Sequence, residues 1–203
     1  MKTLIVKYLP SGDNSNTKKL YDYLMSKIDK NNIEEIDLVK DKIPFFKEAS
    51  VTAYYLRNFL GKELDKTQQQ AIKPFDDIVA KVYSADRLVL VFPMHNFSLP
   101  GIVKTFIDSF MFSGEFINVT DEKKKQRIAN KKIITLYSHG GNYPEGTEFE
   151  KYDFVKSLLT QEFSFMGVKD FSFVSYSTAD QEKKEDYLTE AIKKIDMIIK
   201  AWA

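Results

Sequence analysis

Cysteine is absent from the 203 residues of the chain, which excludes disulfides, iron–sulfur clusters and thiolate zinc sites and fits a reducing compartment. Long hydrophobic runs are absent too, since no stretch approaches the roughly 18 apolar residues that a membrane-spanning helix needs. The apolar run near Met1 is too short for a signal peptide. We therefore expect a cytoplasmic protein with no membrane association.

Neither sign of charge dominates, because 30 Lys and Arg residues stand against 29 Asp and Glu residues, for a net charge of +1. That balance offers no basic surface for nucleic acid or for an anionic membrane. Internal repeats and linkers rich in Pro, Gly or Ser are also missing. The whole chain, residues 1–203, is therefore predicted to form one domain, which is large enough to bury a core without staples.

Five apolar segments are typical of buried strands, and the most continuous of them, RLVLVF, is typical of a central strand. Because helical patterns separate these segments, we expect right-handed crossovers and a parallel sheet with helices on both faces. The predicted strands are Thr3–Tyr8, Ile33–Val39, Arg87–Phe92, Ile133–Tyr137 and Phe171–Tyr176.

Apolar residues spaced three and four apart predict five helices between and after these strands. In chain order they are Thr17–Ile28, a run towards Tyr83, residues 101–113, a helix that ends near Phe165, and a last helix from Tyr187 to Trp202. The charge run Glu122–Lys125 is typical of a solvated helix face.

Two capping boxes are predicted to start helices, Thr67 with Gln70 for the second helix and Thr147 with Glu150 for the fourth. Pro74 lies inside the second helix. Because proline removes a helical hydrogen bond, we expect it to kink that helix or to mark its true start.

Open parallel sheets bind ligands beyond the carboxyl ends of their strands, which directs attention to three loops. The first loop, PSGDNSNT at residues 10–17, leads straight into a helix and has no dinucleotide or P-loop motif. Free N–H groups at that helix start, with the hydroxyls of Ser15 and Thr17, suit a phosphate. The alternative is that Ser15 or Asn14 only caps the helix.

The second loop, PMHNFSLPG at residues 93–101, follows the central strand and is stiffened by two prolines. It presents Met94, His95, Asn96 and Phe97. Apolar and aromatic surface beside amide donors suits a flat heteroaromatic ring. A plain strand-to-helix turn, with Phe97 packed down, is the alternative.

The third loop, SHGGNYP at residues 138–144, contains Gly140 and Gly141, which let the backbone approach a ligand closely. A flexible turn explains the paired glycines equally well. Both histidines of the chain, His95 and His139, lie in these loops. Because neither loop has a carboxylate partner, a metal site is not favoured, and a proton donor or a polar ring wall is the better interpretation.

Aromatic residues make up 14 % of the chain. A core rich in phenylalanine is the simpler explanation. The alternative is that some of these rings line a flat apolar site or a subunit interface.

The segment PMHNFSLPGIVKTFID, Pro93–Asp108, resembles the P-M-Y-N-F-x-x-P-x-x-L-K-x-[YF]-[FI]-D segment of the FMN-dependent NADH-azoreductases, which are flavodoxin-like quinone reductases. The stretch GKELDKTQQQAI, the SHGG loop and the turn at Phe165–Val168 are similar to that family in place and spacing, so the resemblance covers nearly the whole chain. It implies a doubly wound α/β fold with a five-stranded parallel sheet in the order 2-1-3-4-5.

The resemblance also implies that FMN binds at the three loops. Its phosphate would contact Ser15, Asn16 and Thr17. Its ring and ribityl chain would contact Pro93, Met94, His95, Asn96 and Phe97. The edge of its ring would contact Ser138, His139, Gly140 and Gly141. Three positions depart from the family: Leu9 replaces a Ser, His95 a Tyr and His139 an Arg.

The implied activity is reduction of quinones and azo compounds by NADH, with two-electron, ping-pong hydride transfer. A homodimer with active sites at the subunit interface is implied as well, in which Phe110, Phe112 and Phe116 would wall a partner's site. A flavodoxin-type one-electron carrier without NADH turnover is the main alternative. A phosphate-binding regulatory module without redox activity is another.

Overall fold

Five parallel strands form one sheet in the order β2-β1-β3-β4-β5, as the sequence predicts. The computed structural model describes residues 1–202. The strands are β1 (Thr3–Lys7), β2 (Ile33–Asp37), β3 (Arg87–Pro93), β4 (Lys132–His139) and β5 (Asp170–Ser177). All five predicted strands are confirmed, with ends that differ by one or two residues.

Helices cover both faces of the sheet. Successive strand residues point to opposite sides, so apolar strands expose apolar side chains on both faces, and helices bury them. Leu88 and Leu90 pack into the larger core cluster, whereas Val89 and Val91 pack into the smaller one. The larger cluster lies under α2 (Glu48–Asn58), α3 (Lys66–Ser84), α4 (Gly101–Asp108), α5 (Glu122–Ala129) and α6 (Phe154–Phe165), and the smaller under α1 (Asn16–Lys27) and α7 (Lys184–Trp202). No helix within residues 1–202 is long and apolar enough to cross a membrane.

The single tryptophan of the chain, Trp202, closes the smaller cluster at the amino end of the sheet. The guanidinium carbon of Arg87, the first residue of β3, lies 4.9 Å from the centroid of its indole ring. Arg87 also donates a hydrogen bond to the Trp202 carbonyl. The end of α7 is therefore attached to the end of the sheet that is opposite the three loops.

Both predicted capping boxes are wrong. Helix α3 starts at a reciprocal box between Asp65 and Gln68, and it continues through Pro74. The proline ring lies on the exposed face of α3, so the carbonyl that it leaves without a donor can be hydrated, and the buried apolar face holds the helix together.

Helix α6 is capped by Asp153, whose carboxylate accepts a hydrogen bond from Lys156 N–H. The predicted cap residues are used inside the preceding loop instead. The Thr147 hydroxyl donates to the Pro144 carbonyl, and the Glu150 carboxylate accepts from Gly146 N–H.

The three phenylalanines that were expected at a partner's site lie in the chain's own core. Phe110, Phe112 and Phe116 are each no more than 2 % exposed. Helix α4 ends at Asp108 rather than at residue 113, and the irregular segment after it carries these rings back into the larger cluster. They therefore cannot wall a neighbouring subunit's site, and that expectation was wrong.

Candidate active site

Ser138, near the end of β4, contacts both other loops. Its hydroxyl lies 2.7 Å from the hydroxyl of Thr17, in the first turn of α1. Its carbonyl accepts a hydrogen bond from Met94 N–H, directly after β3. Strand register also pairs Ser138 with Pro93. The three loops predicted to bind one ligand therefore meet at the carboxyl edge of the sheet.

The start of α1 keeps hydrogen-bond donors free. Ser15 takes the N-cap position, but its side chain makes no capping hydrogen bond. The N–H groups of Asn16 and Thr17 have no acceptor among residues 1–202. Ser15 thus caps the helix by position, as the alternative interpretation expects, but its hydroxyl makes no capping bond and stays available to a ligand.

Leu9, the residue just before this loop, faces away from the donors. Its side chain packs against the smaller core cluster, and its carbonyl accepts from Gly12 N–H. The polar atoms of the loop therefore come from residues 15–17 and not from this position.

The loop after β3 forms a tight turn that contains one strained residue. His95 and Ser98 exchange two backbone hydrogen bonds of 2.9 and 3.0 Å. Between them, Asn96 and Phe97 have φ angles of +47° and +70°, in the left-handed region that asparagine tolerates but that is costly for phenylalanine. Strain of this kind persists at sites where a side chain has to be presented in one direction.

Phe97 is 49 % exposed, so the alternative in which it packs down is wrong. The N–H groups of Asn96 and Phe97 have no acceptor within the described residues. The Phe97 carbonyl accepts from Phe154 N–H, which ties this turn to the start of α6. The turn thus presents an aromatic ring and free amide donors beside each other.

In the loop after β4, one backbone carbonyl is hydrogen-bonded twice, whereas two neighbouring backbone N–H groups are free. The Gly141 carbonyl accepts from His139 Nδ1 at 2.9 Å and from the Ser177 hydroxyl at 2.6 Å. The N–H groups of Gly140 and Gly141, in contrast, have no acceptor in residues 1–202. This backbone segment therefore offers donors, and not an acceptor, to a ligand.

His139 is a neutral, buried side chain with a defined tautomer. A carbonyl oxygen can only accept, so Nδ1 carries the proton that bonds to Gly141. The residue is 8 % exposed, and burial lowers the pKa of its imidazole below the ordinary 6.5. His139 therefore brings no positive charge to the loop at neutral pH.

Aromatic rings line the space between the loops after β3 and β4. The Tyr143 ring lies 5.1 Å from that of His139 and 6.3 Å from that of Phe97. It covers Gly141 so closely that an added Cβ there would collide with the ring. Phe97 also contacts Tyr152, at 6.2 Å between ring centroids. An aromatic wall thus joins both loops.

The buried residues Tyr137 and Asp153 form a hydrogen bond next to these aromatic rings. The Tyr137 hydroxyl donates to the Asp153 carboxylate, which also caps α6. Burial and the neighbouring Asp153 charge raise the pKa of Tyr137 well above its usual range, so the phenol stays protonated. These two side chains attach the start of α6 to β4, next to the loop.

All of the predicted site residues lie at this edge, and several neighbours were missed. The predicted set occupies the first turn of α1, the end of β3 and its turn, and the end of β4. Sequence reasoning did not select Tyr8, Tyr143, Tyr152 or Ser177, which contact the predicted residues. Within residues 1–202 no group of three or more His, Asp or Glu side chains is arranged to hold a metal.

Comparison with known proteins places this arrangement in a family. The flavodoxin-like fold family matches residues 1–198. An FMN-dependent NADH:quinone oxidoreductase of Bordetella bronchiseptica is 33 % identical over 86 % of this chain and 83 % of its own length. The Bordetella petrii enzyme of the same name is 30 % identical over 98 % and 96 %. This chain belongs to that family.

Solved structures agree with the fold. An FMN-dependent NADH-azoreductase from Bacillus anthracis, in complex with FMN, superposes with a TM-score of 0.80 over 98 % of this chain and 99 % of its own, at 23 % identity. Family membership confirms the resemblance drawn from the PMHNF segment, and the superposition confirms the flavodoxin-like architecture.

Proposed function

We propose that this chain binds FMN and uses NADH to reduce quinones and azo compounds. The observation that carries the proposal is the coincidence of family membership over nearly the whole chain with three loops whose N–H donors are free at one edge of the sheet. The residues proposed to bind FMN are Ser15, Asn16, Thr17, Pro93, Met94, His95, Asn96, Phe97, Ser138, His139, Gly140 and Gly141.

The start of α1 fits a phosphate. Two unpaired N–H groups and the free Ser15 hydroxyl point to an anion, and the positive end of the helix dipole favours it. The Thr17 hydroxyl is fully buried against Ser138 and fixes the position of these donors. The loop contains no cation at positions 15–17, so these neutral donors would do the binding.

The other two loops fit a flat ring with polar edges. The Asn96–Phe97 turn offers an exposed aromatic ring beside free amides, and the Gly140–Gly141 segment offers two N–H donors that have no acceptor within residues 1–202. When bound there, FMN supplies two-electron hydride chemistry. The chain supplies orientation and electrostatics.

The Gly140 and Gly141 N–H groups have a specific role in this proposal. They would stabilise negative charge at the ring edge, as preorganised backbone donors do in other enzymes. His139 cannot do so as a cation, because its buried imidazole is neutral. The donor and the acceptor would use the same exposed aromatic surface in turn, so we expect ping-pong kinetics.

A homodimer and a cytoplasmic location are parts of the same proposal. Apolar side chains beside the site are exposed, including Phe97, Phe149, Tyr152 and Phe154. Exposed aromatic clusters of this kind are typical of subunit interfaces. The location follows from the NADH donor and from a chain that needs no disulfide. Sedimentation velocity with Phe154→Glu tests the interface, and we expect the variant to be monomeric.

The first experiment is an absorbance spectrum of the purified protein, before and after anaerobic addition of NADH. We expect a flavin band near about 450 nm that NADH bleaches in one two-electron step. A yellow protein that NADH does not bleach would favour the one-electron carrier. A colourless protein that takes up no added FMN would overturn both flavin functions.

A further inference from the structure

The carbonyl of Gly141 is held from two sides. His139 reaches it from within the same loop, two residues away, whereas Ser177 reaches it from the carboxyl end of β5, 36 residues away. Of these two bonds to the Gly141 carbonyl, only the one from Ser177 comes from a neighbouring strand, because the His139 bond lies within the loop.

The Ser177 hydroxyl is itself held in position. The residue is 6 % exposed, and its oxygen accepts from Ala179 N–H at 3.1 Å. A serine hydroxyl has one proton to donate, and here that proton goes to Gly141. The next residue, Thr178, bonds to the His139 carbonyl through its N–H at 2.8 Å. The end of β5 therefore bonds to the loop after β4 at two places, His139 and Gly141.

Packing around this loop is incomplete. A cavity of about 290 Å³ borders it, lined among others by Tyr137, Tyr143, Ser177 and Tyr187. A loop that borders a cavity has fewer packing contacts to resist displacement. Its backbone orientation therefore depends more on the bonds to Gly141 and His139.

We infer that Ser177 is a positioning residue of the reductase site: by holding the Gly141 carbonyl toward β5, it keeps the Gly140 and Gly141 N–H groups unpaired and available to the flavin edge. This inference rests on the proposed function. It adds to the site the carboxyl end of β5, which contributes none of the residues predicted from the sequence. Ser177 itself touches no reacting atom.

The test compares Ser177→Ala with Ser172→Ala, the same change on the same strand, at a half-buried serine that makes no side-chain hydrogen bond within residues 1–202. The first readout is backbone amide hydrogen exchange of Met94 and Thr178, whose N–H groups bond to the Ser138 and His139 carbonyls of this loop. It is measured in FMN-free protein and needs no activity. We expect Ser177→Ala to exchange about tenfold faster there, with the rest of the sheet unchanged. Ser172→Ala should match the wild type.

The second readout is FMN affinity by quenching of flavin fluorescence. Ser177→Ala should bind about tenfold more weakly, equivalent to about 1.4 kcal/mol. Ser177→Cys, which keeps a weak donor of similar size, should be intermediate and serves if the alanine variant does not fold.

Unchanged local exchange in Ser177→Ala, or faster exchange spread over the whole sheet, would overturn the inference whatever FMN does. Faster local exchange with unchanged FMN affinity would overturn it too, because the loop would then be held for stability only. Failure of the wild type to take up FMN overturns the proposed function, and the exchange result still distinguishes that failure from a failure of the Ser177 bond.

Discussion

The hydroxyl oxygens of Thr17 and Ser138 lie 2.7 Å apart in a buried position, although the two residues are 121 positions apart in the chain. One belongs to the helix start proposed to bind phosphate, and the other to the strand end that leads into the ring-edge loop. This bond connects the two halves of the site directly. It would help to hold the binding groups for both ends of FMN at a fixed separation.

Thr17→Val should uncouple those halves. The change keeps the shape but leaves the buried Ser138 hydroxyl without its partner, so we expect the free energy of unfolding to fall by about 1–3 kcal/mol. FMN affinity should fall as well. Thermal unfolding and FMN titration measure the two effects. Thr17→Ser, which retains the hydroxyl, is the control, and equal losses in both variants would contradict the role of the bond.

Ser15→Ala should separate ligand binding from helix capping. Because the Ser15 side chain makes no capping bond, the free energy of unfolding should change by less than about 0.5 kcal/mol, while FMN affinity falls about tenfold. Asp121→Ala provides the contrast, since Asp121 accepts from Lys124 N–H and caps α5. That variant should lose about 1 kcal/mol of stability and keep its FMN affinity.

Phe97→Gly should weaken FMN binding without lowering the stability of the fold. Glycine removes the strain of a φ angle of +70°, which offsets or exceeds its entropic cost of about 1 kcal/mol. We expect an unchanged or higher melting temperature together with weaker FMN binding. Phe149→Gly is the matched control, with similar exposure but a φ angle of −81°. It should lose stability, and an equal loss in Phe97→Gly would show that the turn is not strained.

The burial of His139 should make the free energy of unfolding depend on pH. Burial lowers the pKa of its imidazole below 6.5, so the unfolded chain takes up this proton at a higher pH than the folded chain does. The free energy of unfolding therefore decreases as the pH falls below 6.5, until the folded pKa is passed. His139→Gln should flatten the stability curve in this range below pH 6.5. An NMR titration of the imidazole with a midpoint above 6.5 would contradict this prediction.

The centre of the sheet was predictable because its central strands, β1, β3 and β4, are buried on both faces. Arg87–Phe92 is a continuous apolar run, and such runs leave little choice of structure. Helix α2 gave no comparable signal, since Val51 and Tyr55 are exposed and only Ser50 and Ala53 are buried. Periodicity finds a helix only when its apolar residues face the core.

Local motifs were less reliable than the strands. The Thr147 and Glu150 pair fits a capping box, but both side chains bond inside the loop, and Asp153 caps the helix instead. Thr and Asp side chains can bond to several nearby backbone groups, so spacing alone does not show which residue will cap the helix.

The three loops of the site followed from topology, because the carboxyl ends of parallel strands share an edge. Ser177 could not be found in this way. Its bond to Gly141 joins two strands, and the sequence around it, SYSTAD, resembles any polar strand end. Interactions of this type appear only when the register of β4 and β5 is known.

The attachment of Trp202 to Arg87 gives the protein a built-in optical probe. The indole lies at the amino end of the sheet, and a seven-residue strand at about 3.3 Å per residue separates that end from the loops by on the order of 20 Å. At that distance indole emission can pass to a flavin by resonance transfer without any contact. One fluorescence signal would then report two separate events: FMN uptake through lost indole emission, and unfolding through a red shift as the ring enters water.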